Sequence, residues 1–517
     1  MKSPRSHRFG IGALVGLLSA GVALGVGEIV AAFVRPSASP VIAVGNRFIV
    51  LTPETVKRWA IRSFQTSDKP VLLLGIYAGI ALLAILTGIL ALRRMVYGLA
   101  GLLVFGAVGC YCALTANAAR GTDVIPTLVG VGAACIALVV LVRASGVESA
   151  HERPSKPGFP VADRRRFLQG GAAAAGVAVV TGLGGRVVQN ARYNVDSIRA
   201  KLVLPAPASP AAPLAGNPDL GKSGVPWQTS NGTFYRVDTA LSIPQIDPKN
   251  WKLRIHGLVD HPMTLTYEQL LARPLIERWI TLCCVSNVVG GPLIGNAKFL
   301  GARLADLLHE AGVHSDADQL VLSSEDGMTI GAPTAVVLDG RDAMLAVGMN
   351  GQPLPVAHGF PVRTVVPGLY GYVSACKWIV DIEATTFAQS KAYWVQGGWD
   401  QRLPIQLESR IDTPRNGATV VSGSATVIAG VAWDQHVGVS KVQVQVGGGD
   451  WTDARLAPVP STDTWRQWVL AWTPPKAGSY VVKVRAVDAQ GTVQTTASAQ
   501  PFPGAASGLD SITVRAR

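Results

Sequence analysis

Five stretches of about twenty apolar residues crowd the first 190 positions of this 517-residue chain, at about 11–33, 71–92, 96–118, 124–142 and 167–185. An apolar run of about 20 residues matches a bilayer's hydrocarbon thickness, and in lipid such a run satisfies its backbone as a helix. The first third therefore reads as five membrane-spanning helices and the remainder as a soluble extension. Lys2, Arg5, Arg8, Arg93, Arg94, Arg143, Arg153, Lys156 and Arg164 to Arg166 fall on one side if the N-terminus is cytoplasmic. The 34–70 loop and Arg120 fall on the other. An odd number of spans then puts everything after 186 outside the cytoplasm.

Charge and cysteine content narrow the classes further. The net charge of +13 does not come from a long basic run, and the basic residues flank apolar segments, so nucleic-acid binding is excluded. Of six cysteines, Cys110, Cys112 and Cys135 fall inside apolar segments; Cys283, Cys284 and Cys376 remain, and neighbouring cysteines bridge only with strain, so no disulfide framework is expected. The eight histidines all lie outside the spans, which leaves a membrane haem without ligands, and no haem is expected in this chain. Glu28, the carboxylate in a span, sits near the outer end of the first and reads as a snorkelling or interfacial side chain, not a proton relay. Without paired charges or broken helices in its spans, the bundle reads as an anchor or docking surface, not a transporter.

Between the first two spans, Thr52 to Phe64 opens with Pro53 and Glu54 and places Val56, Trp59, Ala60 and Phe64 on one helical face, opposite Lys57, Arg58 and Arg62. Two readings stand: a helix lying on the outer membrane surface, or a short helix packed on the bundle. Residues 191–228 include a proline- and alanine-rich run from Pro205 to Pro213, expected as an extended linker that stands the next domain off the membrane.

The chemistry-bearing stretch runs from Arg278 to Leu308. A β-rich run with Trp279, Ile280 and Leu282 ends in Cys283 and Cys284, followed by Ser286, Asn287 and a loop spaced by Gly290, Gly291 and Gly295. Glycines let backbone N–H groups approach a bulky ligand, so the thiol is placed for a ligand and not for a core. A second segment, Asn350 to Glu383, carries His358, Gly359, Phe360, Pro361 and Arg363, then Ser374, Lys377 and Trp378. An arginine fork with a lysine point charge makes a cradle for an anionic ligand. Cys376 beside Lys377 reads as a packed thiol in a strand. Upstream, Trp251, Leu253 and Ile255 alternate as a strand, and Thr266 to Leu271 has a capped helix start.

These two segments together resemble the sulfite oxidase family of molybdopterin enzymes, over about 230–517. The family's Cys-x-x-Asn matches Cys284-Val285-Ser286-Asn287, and the resemblance makes Cys284 the metal ligand and catalytic residue, with Asn287 beside the cofactor. It also implies cofactor contacts from Tyr235 and Arg236 of the Phe-Tyr-Arg segment, from Asn231 before it, and from His358, Arg363, Ser374 and Lys377. A soft thiolate suits a metal already held by a dithiolene. The implied cofactor is molybdenum–molybdopterin, and the implied reaction a two-electron oxygen-atom transfer.

The expected fold is a five-helix membrane bundle (1–190), an α+β sulfite-oxidase-type molybdopterin-binding domain (229–400) and an all-β sandwich (401–517) resembling the family's immunoglobulin-like dimerisation domain. The bundle is similar to the anchors of some actinobacterial relatives. Arg164, Arg165 and Arg166, before an Ala/Gly-rich run, resemble a twin-arginine export signal; the plainer reading is a positive-inside flank. A domain loaded with cofactor in the cytoplasm has to cross the membrane folded, which favours the signal.

Sulfite-oxidising relatives carry arginines directly after the Cys-x-x-Asn, where this chain has Val288 and Val289. A sulfoxide-like or other small substrate is then as credible as sulfite. No cytochrome segment is present, so a separate quinone-linked or c-type carrier is the expected electron partner, with a homodimer through the sandwich. The rival reading is an inactive cell-envelope scaffold on the same fold.

Overall fold

A computed structural model describes residues 4–64, 68–146, 161–214 and 224–517. Lys2, Arg153, Lys156 and positions 215–223 of the linker lie outside the described residues. The chain divides into two units, Met1–Asn194 with Thr239–Ile243, and Val195–Asp238 with Pro244–Arg517.

The first unit contains α1 (Pro4–Val34), α2 (Pro40–Leu51), α3 (Glu54–Phe64), α4 (Asp68–Arg93), α5 (Met95–Leu114), α6 (Ile125–Ala144) and α7 (Val161–Tyr193). Among the described residues, five of its helices are long and apolar enough to cross a membrane. α1 is the hub, packed against α4, α6 and α7. Small residues allow this: a Cβ on Gly16 would lie 1.8 Å from the Ala84 carbonyl oxygen, and one on Gly130 2.5 Å from that of Ala23. Such backbone approach is what apolar helices use where burial from water supplies no drive.

Three features of this unit differ from or refine the sequence reading. The outer loop holds an additional helix, α2, whose 12 residues are too few to register as a span. Of the two readings of Glu28, its partners refine the interfacial one: its carboxylate accepts hydrogen bonds from Ser39 Oγ at 2.7 Å and Gln189 Nε2 at 3.1 Å. In α3, Val56 and Trp59 are 48% and 60% exposed, so its apolar face is turned outward and not into the bundle.

The second unit begins with α8 (Asp196–Lys201) and the proline-rich run. That run is extended as expected, but it is not a free spacer. Ser209 forms a bridge with Ile276, its carbonyl accepts from Glu277 N at 2.8 Å, and Ala208 N donates to Leu275 O at 2.8 Å. Proline's missing donors make the run a natural edge segment, pairing where it can.

The α+β part is built on two sheets. One has the order β2–β1–β10–β5–β6, with β1 (Lys252–Gly257), β2 (Met263–Thr266), β5 (Gln319–Ser324), β6 (Thr329–Pro333) and β10 (Ile379–Thr385). The other runs β3–β4–β7–β8, with β3 (Leu275–Cys283), β4 (Ile294–Arg303), β7 (Met344–Met349) and β8 (Gln352–Pro353); β9 (Arg363–Val365) also pairs with β7. The capped start at Thr266 opens α9 (Tyr267–Leu271), where Thr266 and Gln269 form a reciprocal capping box. The amphipathic run at Leu304 forms α10 (Leu304–Ala311).

The sheet that carries β3 has apolar clusters on both faces. Ile276, Ile280 and Leu282 pack with Phe234, Phe299 and Phe360, whereas Leu275 and Cys283 join a second cluster with Leu345 and Val347. Period-two alternation assigns these faces.

The C-terminal part is a sandwich of two sheets. β11 (Glu408–Thr413), β13 (Thr426–Trp433), β17 (Arg466–Trp472) and β16 (Arg455–Leu456) form one. β12 (Thr419–Val420), β19 (Ser511–Ala516), β18 (Gly478–Asp488), β14 (Val439–Val446) and β15 (Thr452–Asp453) form the other. Trp433 and Trp468 are buried.

Candidate active site

Leu282 and Cys283 end β3 and Cys284 follows it, and alternation separates the two thiols. Cys283 is fully buried in the second cluster, and burial holds its thiol well above the usual range. Cys284 begins the loop, its N–H donating to Leu293 O at 2.9 Å and its carbonyl accepting from Asn287 N at 2.9 Å. Burial also raises the Cys284 thiol, opposed by hydrogen bonds from Ser286 and by the Lys377 charge. A coordinating metal overrides such a rise by taking up the thiolate. Asn287 Oδ1 accepts from Leu293 N at 2.8 Å, closing the loop, while its Nδ2 is buried without a hydrogen-bond partner.

Tyr235 and Lys377 act directly on this thiol, Arg363 lies beside Tyr235, and His358 lies beside Arg363, Lys377 and Arg236. Burial, then Cys284 and Cys283, raise the Tyr235 hydroxyl well above its ordinary value, and Arg363 opposes them. Gly371 lies between: a Cβ there would stand 3.8 Å from Cys283 O and 4.0 Å from the Tyr235 hydroxyl. Arg363 is 5% exposed and donates to the His358 carbonyl at 3.2 Å and to Thr364 O at 3.4 Å. Among the described residues no carboxylate pairs with it, and burial lowers it to about 10. Lys377 is lowered to about 8 by burial, against the pull of Asp238. His358 is pushed down to about 4 by burial and then by Arg363 and Lys377, so it is neutral at physiological pH. Its Nε2 lies 3.3 Å from the Asn231 carbonyl.

A buried arginine without a counter-ion, a lysine whose charge is strained and an orphaned amide make a site short of an anionic, hydrogen-bonding ligand. A phosphate-bearing pterin has that chemistry, so the residues present fit the implied cofactor.

Two expected contacts are otherwise engaged. The Ser374 hydroxyl donates to Tyr370 O at 2.9 Å and closes the turn at Gly371, so its side chain is committed to the backbone. The Asn231 amide accepts from Asn350 Nδ2 at 2.8 Å and donates to Met349 O at 3.3 Å, which ties down the segment before Tyr235. Cys376 is a packed thiol, as expected, but it lies in the turn before β10 and not in a strand.

Asp238 is a further site residue that no sequence motif singles out. Its carboxylate accepts from Lys377 Nζ at 2.9 Å and Arg236 Nε at 2.7 Å, bridging the two cations. Its spacing two after Arg236 was the available signal. No sequence pattern marks Glu408 either: it is 4% exposed, its carboxyl pairs with no cation among the described residues, and burial raises it to about 8.

A buried thiol beside a cationic, phosphate-suited cradle on an α+β scaffold, followed by a β-sandwich, defines a molybdopterin-binding oxidoreductase. Residues 240–394 match the oxidoreductase molybdopterin binding domain, and residues 408–484 match the bacterial Ig domain. The chain is 36% identical over 156 residues to the uncharacterized oxidoreductase YuiH of Bacillus subtilis, covering 30% of this chain and 75% of that one. Against mitochondrial sulfite oxidase of Mus musculus it is 33% identical over 329 residues, covering 54% of this chain and 58% of the relative. Sulfite oxidase of Gallus gallus is 32% identical, with 52% and 68% covered. The sulfane dehydrogenase SoxCD of Paracoccus pantotrophus is similar at 24% identity and a TM-score of 0.49, over 56% of this chain and 82% of that one. The chain belongs to the sulfite oxidase family of molybdopterin oxidoreductases. It is a molybdopterin-dependent oxidoreductase whose cofactor carries molybdenum.

Proposed function

We propose that the chain is a membrane-anchored, extracytoplasmic enzyme that moves one oxygen atom and two electrons per turnover, with a neutral sulfoxide-like compound as its favoured substrate. Bound at Cys284, the cofactor supplies the two-electron chemistry. Arg363 and Lys377 hold its phosphate, His358 stays neutral between them, and Asn287 fixes the loop that presents the thiol. In the reducing direction the sulfoxide oxygen leaves as water, with two protons and two electrons consumed. A separate quinone-linked or c-type carrier exchanges those electrons.

The observation that carries the substrate reading is Val288, 49% exposed on the loop directly after Asn287. A dianion such as sulfite requires positive charge there. Arg410, the guanidinium that reaches this loop, is already committed to the Asp412 carboxylate at 2.7 Å and the Gly291 carbonyl at 2.9 Å. The named activity of the mouse and chicken relatives supports sulfite as the second reading. The membrane reading rests on five apolar helices whose outward residues, Leu82, Leu103, Ile136 and Val180 among them, are more than 60% exposed. In water such a face is a large liability.

The deciding experiment uses full-length protein from a host that makes the cofactor. Molybdenum and pterin are expected at about one per chain, with kcat/KM for sulfoxide reduction about tenfold or more above sulfite oxidation. A reversed ratio replaces the neutral-substrate reading with the sulfite one.

A further inference from the structure

The Cys284 loop is closed on itself, but the sandwich holds both of its ends. On the near side, three atoms of Thr281 are taken by sandwich residues. Its N–H donates to Asp463 O at 2.9 Å, its carbonyl accepts from Gln435 Nε2 at 2.9 Å, and its hydroxyl oxygen accepts from Trp465 N at 2.7 Å. Thr281 and Gln435 are buried. On the far side, Arg410 Nη1 donates to Gly291 O at 2.9 Å while its Nε holds Asp412. Gly290, at φ +72°, turns against Asp510; a Cβ there would lie 2.4 Å from the Asp510 carboxylate, whose other oxygen accepts from Ile411 N at 2.8 Å.

Alternation along β11 produces this arrangement. Ser409 bonds Gln494 within the sandwich and Ile411 lies in its core, which turns Arg410 and its neighbours at period two, Glu408 and Asp412, to the opposite face. Glu408 lies near enough to Cys283 and Tyr370 to raise both. One strand of the sandwich therefore faces the segment that carries the ligand thiol.

We propose that the sandwich is a brace that sets the position of Cys284, with Arg410 and Gln435 as positioning residues. The inference rests on Cys284 as the metal ligand. A thiol held by a self-closed loop keeps its own shape, but its place relative to the cradle depends on what grips Thr281 and Gly291. Small misplacements at a reacting centre cost large factors in rate.

The test compares loaded Arg410→Gln, Arg410→Lys, Gln435→Met and Arg455→Gln, the last an exposed control on the same sandwich, by the sulfur-to-metal absorption band and steady-state kinetics. Arg410→Gln is expected to shift the band and lower kcat about tenfold or more with KM within about twofold and unchanged cofactor content. Arg410→Lys, which keeps a donor toward Gly291, restores most of both; Gln435→Met acts as Arg410→Gln does. An unshifted band with unchanged kcat in both Arg410→Gln and Gln435→Met overturns the brace. If a variant fails to load, hydrogen exchange on the cofactor-free chain decides. Faster exchange confined to the amides of Cys284, Asn287 and Gly291 supports the brace, and unchanged exchange there rejects it. Cys284→Ala separates the two layers: a band that survives in it rejects the ligand assignment itself, whereas a band lost there but unmoved in the brace variants rejects the brace alone.

Discussion

Cys283 sits in an apolar cluster, whereas Cys284 opens a loop beside Tyr235, Arg363 and Lys377. Cys284→Ala is therefore expected to abolish turnover with the fold retained by circular dichroism. Cys283→Ala leaves a small void costing about 1–2 kcal/mol, with turnover largely kept; the opposite pattern would put the ligand at Cys283. Arg363→Ala removes the buried cation without a counter-ion, so pterin fluorescence per chain should fall severalfold, and full occupancy would contradict its role in the cradle. Glu408 makes a pH prediction. Its folded value, about 8, lies above the ordinary carboxylate value of 4.5. The folded chain then keeps a proton that the unfolded chain releases. That contribution is fully present below about pH 4.5 and is lost as pH rises toward about 8. Glu408→Gln should raise the melting temperature more at about pH 8 than at about pH 5; an equal effect at both would show that the group ionises normally. The motifs single out Cys284, His358, Arg363 and Lys377 as candidates because each has a chemistry that a core does not need. Asp238 and Glu408 were hidden because an acid two residues from an arginine, or at a strand start, looks the same whether solvated or buried.

Helices in this chain were legible where length spoke for them, and α2 was missed because 12 residues inside a loop carry no such signal. How the spans pack follows from small residues on α1. Gly16→Leu would drive a side chain into the Ala84 carbonyl, whereas Gly10, on the same helix, has open space around its Cβ position. In detergent, Gly16→Leu should cost about 1–3 kcal/mol of stability and Gly10→Leu almost nothing. Equal losses would mean that α1 and α4 do not meet where Gly16 places them. The sandwich was legible through its resemblance to the family's immunoglobulin-like domain. Its grip on β3 was not, because the contacts at Thr281 join residues 154 and 184 positions apart, and no local pattern encodes such a pairing. The proline-rich run was misjudged for a related reason. Composition gives its extended shape, but not the strand that it meets.

For the molecule as a whole, compartment and cofactor loading are one problem. Molybdopterin is an anionic ligand that fits a buried cradle, so on the proposed extracytoplasmic placement the catalytic unit must fold around it before leaving the compartment where the cofactor is made. Translocating an unfolded chain would separate the motifs at 284 and 363 and release the ligand. α7 begins at Val161 and carries Arg165 and Arg166 exposed on its first turns, ahead of a helix poor in large apolar residues up to Gly176. A span of that composition is a weak stop for conventional insertion, which four earlier and more apolar spans do not need help with. Arg165→Lys with Arg166→Lys keeps the charge and the positive-inside flank, so a topology signal predicts no change. An export signal that reads the arginine pair predicts that the loaded catalytic unit stays inside. Protease added to intact spheroplasts should then cleave the wild-type catalytic unit and spare that of the double variant, while the 34–70 loop is cut in both. Cleavage of a molybdenum-loaded catalytic unit in the double variant would leave the arginines as an ordinary flank and require another route for a folded domain.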